Sequence, residues 1–182
     1  MFKEMNILRP FFEYPGREYN VREVARLLKI SPATASKELK RLVQLGLLRE
    51  RKERALNLYK ADLESDLYRD VKRFYNVRKL KESGLIDSLN EFYLKPTIVL
   101  FGSASAGLDT ETSDFDLLVV SEKAEAFPRV KGFEKKLNRR LEIFAVVKVT
   151  DLRNPHLINN AANGIPLQGR VRWIEKSASG RG

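Results

Sequence analysis

The stretch from Thr97 to Val120 constrains this chain more than any other. Thr97-Ile98-Val99-Leu100-Phe101 and Leu117-Leu118-Val119-Val120 have the length and β-branched content of short buried strands. Gly102-Ser103 follows the first run at once, and Ser113-Asp114-Phe115-Asp116 leads into the second. Residues two apart on a strand share a face, so Asp114 and Asp116 point the same way at the start of theirs. Two carboxylates on one side suit a hard divalent cation bound through oxygen. Gly-Ser at a strand end offers backbone N–H groups and a hydroxyl with little bulk, which suits a phosphate chain. Ala104-Ser105-Ala106-Gly107 is small enough to open a helix after it. Singly, Gly-Ser is a common dipeptide and Asp-x-Asp a common solvated loop. The two in this order, between two strands, are the specific signal.

That order, with the form Gly-Ser-x-x-x-Gly at residues 102–107, resembles the minimal nucleotidyltransferase family, within the DNA polymerase beta superfamily, over about residues 84–170. The resemblance implies a mixed sheet flanked by helices and a Mg²⁺-dependent nucleotidyltransferase using an NTP as substrate. It implies Gly102, Ser103 and Ser113 as nucleotide-binding residues, and Asp114 and Asp116 as catalytic metal ligands. Two Mg²⁺ ions about 3.5–4 Å apart fit the chemistry such a site performs. Relatives use a third carboxylate on a later strand. Arg140 to Val147 reads as a strand, and Glu142 is its only acid. In the family role Glu142 shares a metal and accepts a proton from the attacking hydroxyl. The family position is more often Asp, and the other reading of Glu142 is an edge residue paired with Arg139 or Arg140. Relatives also often carry arginines inside the Gly-Ser segment, where Ala104 and Ala106 stand here. Losing those guanidinium donors weakens the grip on phosphate unless Arg139, Arg140 or Lys148 substitutes. A domain that binds without catalysing is the alternative. Ile158 to Gly169 resembles the family's closing helix, glycine turn and short strand.

The N-terminal third reads differently. Met5, Leu8, Phe11 and Phe12 fall at helical spacing, and Tyr14-Pro15-Gly16 ends that run. Val21, Val24, Ala25, Leu27 and Leu28 form a second helical face, with Asn20 and Glu23 in the pattern of a capping box. Ser31 and Pro32 open a third helix through Leu39, Leu42, Val43 and Leu45, stopped at Gly46. Leu47 to Arg51 and Ala55 to Lys60 read as two strands joined by Lys52-Glu53-Arg54. Residues 19–60 resemble winged helix-turn-helix DNA-binding domains. The resemblance places the third helix in the major groove of double-stranded DNA. Ala33, Thr34, Ser36, Lys37 and Lys40 then face DNA, with Lys52 and Arg54 on the wing. A domain that only dimerises or packs is the other reading.

Charge supports the first reading without deciding it. The chain carries a net +10, of which residues 1–61 hold +7, residues 62–96 zero and residues 97–182 +3. A basic N-terminal third fits either a polyanionic partner or a solvated basic surface. The fold class expected is α+β: a winged helix-turn-helix at 1–61, a connecting helix at 62–83, a nucleotidyltransferase-fold domain at 84–176 and a frayed tail at 177–182. The connecting helix, from Asp62 to Lys81 with Leu63, Leu67, Val71, Phe74 and Val77 near helical spacing, has the mixed charge of a linker or a homodimer contact.

The rest is exclusion. Hydrophobic residues at 43% and charged residues at 32% belong to a globular chain. The apolar runs are far below the roughly 20 residues a membrane span needs. Lys3, Glu4 and Arg9 leave no apolar signal core, and the absence of cysteine removes disulfides and thiolate metal sites. A cytoplasmic location is the expectation. His156, the one histidine, lies beside Pro155 and reads as a surface or capping residue. The functional expectation is a DNA-binding protein with a nucleotidyltransferase domain moving NMP from NTP to a hydroxyl acceptor. The alternative is a transcriptional regulator or antitoxin-like protein, with a HEPN-type toxin as the possible partner.

Overall fold

The computed structural model describes residues 3–171. The expected frayed tail at 177–182 and the last residues of the expected C-terminal domain lie outside them. Two compact units divide the chain: Met1–Arg78 with Ala106–Ser113, and Lys79–Ser105 with Asp114–Gly182.

In the first unit, helices α1 (Lys3–Glu13), α2 (Val21–Leu28) and α3 (Pro32–Gln44) come before a hairpin of β2 (Leu48–Glu53) and β3 (Leu56–Ala61). A two-residue strand, β1 (Tyr19–Asn20), joins the hairpin in an antiparallel sheet of order β1-β3-β2. Local chemistry sets the helix starts. The Asn20 side chain accepts the Glu23 N–H at 3.0 Å and Glu23 accepts the Asn20 N–H at 2.9 Å, closing the capping box. Ser31 accepts the Thr34 N–H at 3.0 Å, with Pro32 in the first turn of α3. Leu8, Phe11, Val24, Ala35, Leu39, Leu42 and Tyr59 fill the core among these elements.

Two expectations shift. The hairpin strands run further than the sequence indicates, pairing out to Glu53↔Leu56, so the turn is only Arg54-Ala55. Arg54 takes a left-handed φ of 53° there, as a two-residue hairpin turn requires. The helix after the hairpin, α4 (Asp66–Glu82), starts later than Asp62. Leu63, Leu67 and Phe74 are exposed, whereas Tyr68, Lys72, Tyr75 and Asn76 are buried. The tyrosines win because each polar tip finds a partner while its ring packs. Tyr68 donates to the Phe11 carbonyl at 2.9 Å and Tyr75 donates to Glu13, with the Phe12 ring 5.5 and 4.9 Å from theirs.

Lys72 and Asn76 meet the loop 106–113. Lys72 and Asp109, 1% and 0% exposed in their side chains, form an ion pair at 3.4 Å. Asn76 donates to Asp109 Oδ1 at 2.8 Å, and Lys72 donates to the Asp109 carbonyl. The loop lies so close to α4 that a Cβ at Gly107 would overlap the Arg69 carbonyl oxygen. Gly107 also has a φ of +69°, so only glycine fits.

The second unit is built on a four-stranded sheet of order β6-β5-β4-β7, from β4 (Thr97–Phe101), β5 (Phe115–Val120), β6 (Leu141–Val146) and β7 (Ile165–Gln168). β5 runs antiparallel to β4 and parallel to β6. The parallel pair needs a crossover, which holds α7 (Val130–Leu137). The edge strand β7 tolerates Pro166, and Gln168 exchanges amide hydrogen bonds with Asn90 of α5 (Leu85–Tyr93). Val99, Phe101, Leu118, Phe144 and Val146 pack on one face against Val149 and Leu152 of a 3₁₀ turn and Leu157, Ile158 and Ala161 of α8 (Pro155–Ala162). Ile98, Leu100, Leu117 and Val119, alternate to these, are fully buried on the other face.

Breaking a buried ion pair by removing one partner strands the other charge. Lys72→Met is therefore expected to lower the unfolding free energy by about 3–5 kcal/mol, read from urea unfolding of the full chain.

Candidate active site

The acidic positions fall where one face of the sheet changes character. Asp116 pairs in register with Glu142 across the parallel strands, as Leu118 pairs with Phe144 and Val120 with Val146. The alternation that puts Leu118 and Val120 under α8 therefore puts Asp116, and Asp114 before it, on that same face. Toward the start of β5 and β6 this face turns from apolar to acidic. Asp114 and Asp116 are half-buried and Glu142 is exposed.

On the other side of β5, Asp116 pairs with Phe101, the last residue of β4. Gly102 follows with a φ of +68° and opens the short helix α6 (Gly102–Ala106). A Cβ at Gly102 would fall on Asp116 Oδ2 and lie 3.2 Å from its Cγ. The backbone angle favours glycine, and the Asp116 carboxylate takes the space a side chain there would enter. Ser105 donates to the Gly102 carbonyl at 2.8 Å, tying α6 to its first residue.

Burial raises the Asp116 carboxyl above the usual carboxylate range, and the charges of Glu142 and then Asp114 add to that effect. A cation at this sheet end would offset the charges that Glu142 and Asp114 place beside Asp116. The donor set is all carboxylate oxygen, which fits a hard divalent ion. Among the described residues no group of three or more His, Asp or Glu side chains is placed to hold a metal ion, so the three carboxylates would have to draw together around one.

The other expected residues are placed as follows. Ser103 is half-buried within α6. Ser113 sits in the loop 106–113, where its hydroxyl accepts the Thr110 N–H at 2.9 Å. Ala104 is fully buried. Arg139 is buried with its guanidinium 5.8 Å from the Phe115 ring centroid, and Arg140 is exposed. His156 is exposed, its N–H held by the Asn154 side chain at the start of α8. Sequence reasoning missed Asp109, the acid that anchors the loop between the two halves of the motif. A single acid in a polar link carries no pattern that marks it.

On α3, Ala33, Thr34, Lys37 and Lys40 are exposed and Ser36 is half-buried. The Thr34 hydroxyl lies 2.8 Å from that of Ser31. Lys52 and Arg54 are exposed at the hairpin end. The hairpin's other arginines are engaged: Arg49 with Asp62 and Glu64 at 2.8 and 2.6 Å, Arg51 with Glu18 and Glu53 at 2.6 and 2.7 Å. Lys37, Lys40, Lys52 and Arg54 enter no ion pair among the described residues.

Residues 82–171 match the family model described as nucleotidyltransferase domain. No curated protein matches the chain. The chain therefore carries a nucleotidyltransferase domain, and the expected mixed sheet flanked by helices is the architecture found there. No helix among the described residues is long and apolar enough to cross a membrane.

A carboxyl whose value is raised by folding costs stability once ionised. That cost is absent below the unfolded value of 3.8 and grows as pH rises through the folded value. Asn at this position stays neutral throughout. Metal-free Asp116→Asn is expected to unfold at a higher temperature than the native protein at pH 7. The gap should close as pH falls to 3.8, in thermal unfolding with a chelator present.

Proposed function

From this nucleotidyltransferase domain, we propose that the protein transfers a nucleoside monophosphate from an NTP to a hydroxyl acceptor with Mg²⁺, and that residues 1–61 form a winged helix that binds double-stranded DNA. The observation that carries the first part is the Asp116 carboxylate, seated in the side-chain space of Gly102 and in register with Glu142. A Gly-Ser turn and an acidic strand end are thereby held within contact of each other.

Asp114, Asp116 and Glu142 would hold the metal. Mg²⁺ held there would neutralise phosphate oxygens and make the acceptor hydroxyl easier to deprotonate. Strand alternation sets the two aspartates on one face, and the carboxylates would draw together on loading. Gly102 and Ser103 leave room for a phosphate chain beside them. The acceptor oxygen forms a bond to the α-phosphorus, the α–β phosphoanhydride bond breaks and pyrophosphate leaves. The hydroxyl proton passes to Glu142, the most exposed of the three acids.

Support for DNA binding is the run of three helices and a hairpin, together with unpaired cations at Lys37, Lys40, Lys52 and Arg54. Ala33, Thr34 and Ser36 lie on the same helix as the lysines and present small side chains to base edges.

A second reading has a specific observation behind it. Ala104 is a buried packing residue in the place where relatives often carry arginine, and Glu142 stands where they more often carry Asp. In that reading the domain of a regulator or antitoxin-like protein binds nucleotide, or a partner such as a HEPN-type toxin, without transfer.

Incubation with labelled ATP, Mg²⁺ and candidate acceptors separates the two. Transfer by the native protein, abolished in Asp114→Asn/Asp116→Asn and reduced about 10²–10⁴-fold in Glu142→Gln, is the outcome expected. Metal-dependent ATP binding with no transfer to any acceptor would favour the second reading. For DNA, the affinity should fall steeply with salt. Replacing Lys40 by Ala should flatten the log–log salt slope by about one unit, in fluorescence anisotropy with duplex DNA.

A further inference from the structure

A metal held by the three carboxylates would offset part of the phosphate charge, and a cation of the protein facing the phosphates would add directional grip. The Gly-Ser segment supplies none, since Ala104 and Ala106 stand there and Ala104 is fully buried. Three basic residues border the later strand, and the structure separates them.

Lys148 lies past the far end of β6, beyond Val146, while Glu142 lies near its start. The strand from Glu142 to Val146 alone spans about 13 Å. Lys148 also begins the 3₁₀ turn, where its N–H is taken by Asp151 at 2.9 Å. Arg139 is buried, on the opposite parity from Glu142, and lies against the Phe115 ring. Distance along the strand sets Lys148 apart from Asp114 and Asp116, and burial on the other face sets Arg139 apart.

Arg140 differs in each respect. It is exposed, between buried Arg139 and buried Leu141, so it shares its face with Glu142. Its carbonyl accepts the Phe115 N–H at 2.9 Å, extending the parallel register Phe115↔Leu141, Asp116↔Glu142 one step back. Asp114 therefore stands opposite Arg140, one strand spacing away. Arg140 makes no ion pair among the described residues. Its charge is felt by Glu134, whose carboxyl Lys131 and the Leu141 N–H hold below the usual range, with smaller contributions from Lys131's charge and Arg140. Its guanidinium donors are free for a ligand.

We propose that Arg140 is the phosphate-gripping residue of this site, its planar guanidinium taking the polyphosphate of the nucleoside triphosphate beside Asp114. The assignment rests on the nucleotidyltransferase reading given above. A guanidinium matches two phosphate oxygens at once, which a lysine ammonium does not. It replaces, from the neighbouring strand, the cation that the Gly-Ser segment lacks.

The test measures equilibrium binding to the full chain with Mg²⁺ present, using ATP, inorganic tripolyphosphate and duplex DNA as separate probes. Arg140→Ala, Arg140→Lys and, as control, Lys148→Ala are compared with the native protein, each with its unfolding midpoint recorded. Arg140→Ala should weaken both ATP and tripolyphosphate by about tenfold or more, the loss of a charge-assisted pair. Arg140→Lys should fall between it and the native protein, with Lys148→Ala unchanged and duplex DNA bound equally by all. In transfer assays Arg140→Ala should raise the KM for ATP. Native binding of tripolyphosphate with undiminished binding by Arg140→Ala would overturn the assignment and leave the nucleotidyltransferase reading standing. Weakening confined to duplex DNA would also overturn it, placing Arg140 on the acceptor instead. If the native protein binds neither ATP nor tripolyphosphate, the nucleotidyltransferase reading fails first and the assignment with it.

Discussion

The Asp116 carboxylate occupies the space a side chain at residue 102 would need, and the site is arranged around that contact. It follows from the antiparallel pairing of β4 with β5, which sets Phe101 opposite Asp116 and puts the next residue, Gly102, at the carboxylate. The left-handed angle at Gly102 turns the chain out of the sheet into α6 just where the acid needs room. The glycine and the aspartate are thus two halves of one packing decision. Burial of that acid among Glu142 and Asp114 also makes it a strained carboxyl, a common cost of sites kept ready for a charged ligand.

The same sheet face serves two purposes along its length. Where α8 and the 3₁₀ turn cover it, Leu118, Phe144 and Val146 exclude water. Where that apolar packing stops, the strand period continues but the residues become Asp116, Glu142, Asp114 and Arg140. A face already fixed by a packed core holds polar groups more firmly than a loop would. The chain between the Gly-Ser and Asp-x-Asp segments is treated differently: residues 106–113 fold with the first compact unit, held by Lys72, Asn76 and Asp109.

Much of this was legible because it is local. Asn20 with Glu23 and Ser31 with Pro32 marked helix starts, since a cap is decided by residues three apart. The run Thr97 to Phe101 became β4 with its ends unchanged. The candidate acids stood out because strand alternation is a property of the chain itself. The buried face of α4 was not legible for the converse reason. Apolar spacing at Leu63, Leu67 and Phe74 shows a helix, but which face is buried depends on Phe11, Phe12 and Glu13, far away in sequence, offering partners to Tyr68 and Tyr75.

By itself, then, the sequence determined the element order, the caps, the glycine-serine turn and the shared face of Asp114 and Asp116, because each depends on neighbours within a few residues. Tertiary structure alone decided that Gly102 must make room for Asp116 and that Glu142 is the acid in register with it. It also buried Arg139, left Arg140 free and made Asp109 the partner of Lys72. Those outcomes depend on strand register and on the pairing of residues tens of positions apart, and no local pattern encodes which distant group will arrive opposite.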